Sequence, residues 1–267
     1  MIEFDDYTIL RRLDPGGTTE ISLASRPGEK PVILRCMKPD YARKRRWRKM
    51  FFHGAKVLQV LDHPNVVRII DVQRNYPLPY MVLEYVPSKT LRSRILNRDP
   101  LIHGNLLRLL RQMAAALGHV HSSGYLHLDF KPENLLVDDN AHVTLIDFDL
   151  AMRRTKRPAR VRSLDGTPFY MPREMLLQRT VDERTDIYAL GVTAYEMVVY
   201  RQPFGGETLA EARVAQADLA TRPDLLASNS DGVTSGLQEV IFKCLAKEPP
   251  ARYPSMGLVQ KALESLV

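Results

Sequence analysis

His127-Leu128-Asp129-Phe130-Lys131-Pro132-Glu133-Asn134 is followed, thirteen positions after Asn134, by Asp147-Phe148-Asp149. A single Asp and Lys this close on a loop read first as a surface ion pair of little energetic weight. The ordered set says more. A carboxylate, a cation two residues on, a carboxamide three beyond that and a second pair of acids gather oxygen donors around one cation, which is the raw material of a reactive site.

Outward from this stretch the chain changes texture. Towards the N-terminus, Tyr7–Leu10, Glu20–Ala24 and Val32–Met37 read as strands, with turn signals at Pro15-Gly16-Gly17 and Arg26-Pro27-Gly28. Apolar residues at Phe51, Ala55, Leu58 and Leu61 predict one helix over Ala42–Leu61, and two further strands are expected over Val66–Val72 and Tyr80–Tyr85. After Pro87 the pattern is helical. Asn105–His121 carries Leu106, Leu109, Leu110, Met113, Leu117 and Val120 on one stripe, and Ile187–Val199 is apolar nearly all round, as a central buried helix would be. The expectation is an α+β, bilobal chain: a small β-rich N-lobe over 1–86 with one helix, a larger helical C-lobe over 87–267, and a ligand cleft between them.

Composition narrows the class. With 267 residues, 45% hydrophobic and 26% charged, the chain is ordinary globular material, which excludes collagenous, coiled-coil and wholly disordered readings. No apolar run approaches the roughly 20 residues that cross a bilayer, and the first residues lack a secretory pattern, so a cytoplasmic protein is expected. Cys36 and Cys244 follow no metal spacing and read as buried, reduced thiols. The net charge of +7 favours acidic partners without choosing among them.

Together with Gly166-Thr167-Pro168-Phe169-Tyr170-Met171, Asp186-Ile187-Tyr188-Ala189-Leu190-Gly191 and Cys244-Leu245-Ala246-Lys247-Glu248-Pro249-Pro250-Ala251-Arg252-Tyr253, the opening stretch resembles the eukaryotic-type (Hanks-type) Ser/Thr protein kinases in their bacterial form, over essentially the whole chain. The resemblance implies ATP and Mg2+ as cofactors. On it, Asp129 is the catalytic base, Lys131 contacts the transferred phosphate, and Asn134 with Asp147 holds the metal. It also implies a stacked spine of Leu58, Ile69, His127 and Phe148, a buried Glu174–Arg252 ion pair, and a nucleotide slot at Ile21, Ile33, Glu84, Val86 and Leu136.

The family pattern breaks on the nucleotide side. Val32-Ile33-Leu34-Arg35 has Arg where the phosphate-anchoring Lys belongs, and a planar fork is no conservative substitute for an ammonium. The helix position that should carry the pairing Glu is Gly54, and no Asp or Glu occurs from Tyr41 to Leu61. Arg35 must therefore find another acid, for which Asp147 is the nearest candidate, while Asp149 reads as a solvated loop acid or an additional metal ligand, the solvated acid being the simpler. Asp14-Pro15-Gly16-Gly17-Thr18-Thr19 keeps only the middle glycine of the phosphate loop and adds an acid. Lys30 and Lys38 are imperfect replacement anchors. Ile33 replaces the small residue against which adenine lies. Leu128 stands where an Arg would read a phosphorylated activation segment, although Thr155, Ser163 and Thr167 remain candidate phosphosites.

Two basic runs, Arg43–Lys49 and Arg153–Arg162, contain no acid, and kinase geometry would bring them together at the cleft mouth. The expected partner is a protein with an acidic or phosphorylated surface. Nucleic acid is not expected, since Trp47 is the lone stacking aromatic there. The sequence predicts a pseudokinase that binds ATP weakly or not at all and acts through partners. The alternatives are an active, atypical Ser/Thr kinase using Asp129 with Arg35 as anchor, and a domain that transfers a nucleotide rather than a phosphoryl group.

Overall fold

The structure is a computed structural model that describes residues 4, 6–14, 17–75, 78–204, 208–224 and 233–266. Strands β1 (Thr8–Asp14), β2 (Thr19–Ser25) and β3 (Val32–Met37) are followed by helices α1 (Pro39–Ala42) and α2 (Arg45–Leu58), then by β4 (Ile69–Gln73) and β5 (Tyr80–Glu84). The strands form one antiparallel sheet in the order β1-β2-β3-β5-β4. Side chains alternate across a strand, so Val32, Leu34 and Cys36 of β3 join Ala24, Tyr80 and Val82 in a small core on one face. Ile33 and Arg35 fall on the other face, where the Arg35 guanidinium lies 5.6 Å from the Phe51 ring of α2.

Two N-lobe expectations change. The helix predicted over Ala42–Leu61 is two helices, broken where Lys44 is extended, with φ −92° and ψ 113°. Neither a side-chain cap nor an acid supports the first turn of α2, and a run of cations opposes the positive end of the helix dipole, so the chain does not carry the first helix into the second. The strand predicted from Val66 starts at Ile69, because Val66 and Val67 pair instead with Leu145 of the other lobe.

The C-lobe begins with β6 (Lys89–Thr90), α3 (Leu91–Leu96), α4 (Pro100–Gly104) and α5 (Leu106–Ser122). Next come β7 (Tyr125–Leu126), β8 (Leu135–Val137), β9 (Val143–Leu145), β10 (Met152–Arg153) and β11 (Ala159–Arg160). The remainder is α6 (Arg173–Gln178), β12 (Thr180–Val181), α7 (Glu183–Val199), α8 (Leu209–Ala217), α9 (Ser235–Cys244) and α10 (Met256–Glu264). Short sheets β6-β8-β9, β7-β10 and β11-β12 frame the loops between α5 and α7. The apolar stripe of α5 is buried, and α7 is buried along almost its whole length, started by an Asp182–Thr185 capping box. The α+β, two-lobed architecture is therefore as expected.

Cys36 and Cys244 are free and buried, and burial pushes both thiols up to about 12. Among the described residues, no helix is long and apolar enough to cross a membrane.

Candidate active site

The loop between β7 and β8 is pinned from beneath. Asp186, buried on α7, accepts hydrogen bonds from the backbone N–H groups of His127 (2.9 Å) and Leu128 (2.8 Å) and lies 2.7 Å from His121 Nε2. Burial alone would push its carboxyl up; His121 and these donors outweigh that and hold it below the usual carboxylate range. With its backbone tied down, Leu128 holds a left-handed conformation, φ 63°, that a leucine rarely adopts.

Above this anchor the structure brings Asp129, Lys131 and Asn134 together. Lys131 Nζ lies 3.0 and 2.8 Å from the two Asp129 carboxylate oxygens and donates to Thr167 Oγ1 at 3.1 Å. Asn134 Nδ2 donates to the Asp129 carbonyl (2.8 Å) and carboxylate (2.9 Å). Gly166 closes over the acid with φ 112°, and a Cβ there would come within 3.3 Å of Asp129 Oδ1. Burial pushes the Asp129 carboxyl up, with Lys131 opposing, which moves it in the direction a proton acceptor needs.

The Arg35 side is built differently. The Arg35 fork meets Asp149 bidentately, Nη1 to Oδ1 at 2.9 Å and Nη2 to Oδ2 at 2.8 Å, while Asp147 Oδ2 stands off at 3.5 Å. The Arg35 side chain is 11% exposed and that of Asp149 16%. The expectation that Asp147 would be Arg35's partner and Asp149 a solvated acid is corrected: Asp149 is the principal partner and Asp147 the lesser one. Gly54 explains the choice. A Cβ at this α2 position would fall 2.6 Å from Asp149 Oδ1 and 3.1 Å from the Asp149 backbone nitrogen, so the missing side chain is the space the acid occupies. Two departures from the kinase pattern thus fit each other: α2 has glycine where the acid is expected, and an acid stands two residues after Asp147.

The charges follow. Burial would lower the Arg35 guanidinium, but Asp147 and Asp149 outweigh it and raise it. Burial would raise Asp147; Arg35 and the N–H of Asp149, donated to Asp147 Oδ1 at 3.2 Å, bring it below the usual range. Asp149 is pushed up by burial and by the like charge of Asp147, against Arg35. Among the described residues, no group of three or more His, Cys, Asp or Glu side chains is placed to hold a metal ion. Asp147 and Asn134 are the hard oxygen donors that magnesium takes, so their chemistry fits the ion, with a guanidinium already close to one of them.

Ile21 and Ile33 are half-buried on the paired strands β2 and β3, and Leu136 is half-buried on β8. Glu84, at the end of β5, turns its carboxylate to accept the Arg68 N–H at 2.7 Å, and the Val86 carbonyl accepts from Ser88. Pro15, Gly16 and the side chain of Asp14 lie outside the described residues. His127 and Phe148 stack edge to face at 4.8 Å, and Glu174 meets Arg252 at 2.7 and 3.0 Å, both as expected. The two basic runs make separate contacts: Arg46 of the first pairs with Asp165, three residues past the second run, whereas Arg153 lies over Tyr125 and Arg154 pairs with Glu183.

The protein kinase domain model matches residues 7–263. Similar curated proteins include the serine/threonine-protein kinase PrkC of Bacillus subtilis, 29% identical over 92% of this chain and 38% of that protein. Pkn1 of Myxococcus xanthus is 32% identical over 97% of the chain and 38% of its own length, and PknB of Mycolicibacterium smegmatis 30% over 93% and 41%. The chain therefore spans about two fifths of the length of these relatives. With a family model matching from the first strand to the last helix and relatives at 30% and 32% identity over nearly the whole chain, the chain belongs to the protein kinase domain family, and these relatives are bacterial Ser/Thr kinases.

Proposed function

We propose that this is a kinase-fold signalling domain of the pseudokinase kind, which binds nucleotide weakly or not at all and works by binding protein partners. The observation that carries this reading is the closed fork of Arg35 on Asp149, lodged in the space left by Gly54. The cation that should receive phosphates is already satisfied by two carboxylates. A nucleotide would have to break charge-assisted bonds in a buried place before gaining its own, and each 1.4 kcal/mol so lost weakens binding about tenfold.

The test is thermal unfolding with and without millimolar ATP and Mg2+, since a ligand of the native state raises the melting point. The wild-type chain is expected to show no shift, whereas Arg35→Lys with Gly54→Glu and Asp149→Gly, which restores the family pattern, gains one. A magnesium-dependent shift in the wild type, abolished by Asp147→Asn, would sink the proposal.

A second reading, an active but atypical Ser/Thr kinase, is favoured by the set Asp129, Lys131, Thr167 and Asn134. In it Asp147 and Asn134 would hold magnesium, which would supply charge neutralisation at the phosphates, while Lys131 would steady the transferred phosphate and Asp129 would take the proton of the attacking hydroxyl.

A further inference from the structure

Helical spacing divides the basic run of α2. Arg45, Arg48, Lys49 and Phe52 stand at i, i+3, i+4 and i+7, on one face, while Arg46 turns to the other and meets Asp165. With Arg43, and with Arg74 just past the end of β4, that first face lines an open hollow of about 450 Å3 that has, among the described residues, no acidic side chain in its wall. Among the described residues, none of these five cations has a carboxylate partner within ion-pair distance.

Two of them are held in place. The guanidiniums of Arg48 and Arg74 lie 5.5 and 4.8 Å from the Phe52 ring centroid, and Arg48 donates to the Arg74 carbonyl at 3.4 Å. An adjoining cavity of about 380 Å3 shares Arg43, Arg48 and Arg74 and adds the apolar surface of Pro39, Leu78 and Pro79. Like charges at helical i, i+3 and i, i+4 spacing, at a helix start with no acid, oppose folding. No carboxylate among the described residues offsets them. Preset planar forks without counter-ions suit a phosphate, which accepts two parallel N–H bonds from a guanidinium.

We propose that this α2–β4 face is a docking site for a phosphorylated segment of a partner protein. The phosphate sits between the forks of Arg48 and Arg74, and a neighbouring apolar side chain lies against Leu78 and the two prolines. A nucleic acid suits the site less well, because both guanidiniums cover Phe52 and Trp47 is engaged edge-on with Tyr41 at 5.6 Å. The proposal deepens the partner-binding reading and rests on it for what docking achieves, not for whether the site binds.

The full chain is titrated at physiological salt with a labelled ten-residue peptide bearing a central phosphothreonine followed by leucine. Its unphosphorylated twin, inorganic phosphate and phosphatidylserine vesicles are the comparison arms. Saturable binding of the phosphopeptide is expected, with no measurable binding of the twin and displacement by inorganic phosphate only at much higher concentration. Arg48→Ala with Arg74→Ala should weaken it by about tenfold or more. Arg153→Ala with Arg162→Ala, an equal change of charge on the activation segment, should leave it within about twofold. Arg43→Ala with Arg45→Ala, at exposed positions, repeats the test should the first pair disturb folding. Equal losses in both charge classes, equal binding of the twin, binding to vesicles alone, or no saturable binding would each overturn the site. The same samples are melted with ATP and Mg2+: a shift there counts against the pseudokinase reading and leaves the docking result standing.

Discussion

Two of the arginine–carboxylate forks in this molecule, Arg252 with Glu174 in the C-lobe and Arg35 with Asp149 in the cleft, are finished differently. Arg252 uses all five of its N–H donors: two on Glu174 and the rest on the carbonyls of Arg184, Ala246 and Lys247, with its side chain 0% exposed. Arg35 puts two on Asp149 and reaches Thr19 Oγ1 at 3.4 Å, with a second carboxylate beyond. A buried pair whose remaining donors are all satisfied is a fixed part of the core. A pair with a spare acid beside it can rearrange. The same chemistry serves as a brace in one lobe and as an occupant of the cleft in the other.

The contrast can be broken most directly at Glu174. Glu174→Ala strands the Arg252 charge in the core and should cost about 3–5 kcal/mol in urea unfolding. A loss near that of a surface pair, under about 1 kcal/mol, would remove the distinction.

The next effect sharpens what surrounds the brace. Lys247 is buried beside Arg252, with its ammonium donating to the carbonyls of Ala215 and Gln216 and lying 3.4 Å from the Phe204 ring centroid. Burial lowers it from 10.5 to about 8, only partly opposed by Asp218. A folded value below the unfolded one means that the unfolded chain binds more protons between about pH 8 and 10.5, so the Lys247 contribution to stability rises with pH across that window. The stability of the wild type minus that of Lys247→Met should therefore climb by about 1–3 kcal/mol from pH 7.5 to 10.5, and a flat difference would count against the buried ammonium.

The smallest effect probes the cleft pair. Asp149→Ala should cost only about 1–2 kcal/mol, because Asp147 is at hand to take over Arg35. Removing Asp147 should then hurt more in that background than in the wild type, a non-additivity that a double-mutant cycle reads. Gly54→Ala should cost about 1 kcal/mol in the wild type, overpacking outweighing the gain in helix propensity. The loss should shrink with Asp149→Gly, which removes the 2.6 Å collision and leaves the 3.1 Å backbone contacts.

The Asp129 loop could be read in sequence because its chemistry is local: Asp129, Lys131 and Asn134 lie within six residues and meet through short bonds. The α5 stripe was legible for the same reason, since one helical period carries it, and α7 was legible from apolar residues all round. The absence of an acid on α2 was equally plain, but the identity of its replacement was not. Asp147 and Asp149 are two residues apart, and the left-handed turn at Asp147, φ 64°, decides which carboxylate faces the helix. The clue lay in two departures read separately: an acid missing at Gly54 and an acid gained at Asp149. Nor does periodicity reveal the break at Lys44, because charge at a helix start acts against a pattern that apolar spacing alone supports.

The close approach of Gly54 to Asp149 also reassigns control. Where the acid sits on a mobile helix, swinging that helix makes or breaks the anchor. Here both Asp147 and Asp149 lie on the chain leaving β9, and α2 contributes no acid to this ion pair, only the Phe51 ring beside Arg35 and the gap at Gly54. Displacing α2 opens or closes the space beside Asp149 without carrying either carboxylate, which shift only with the segment from Asp147 onward.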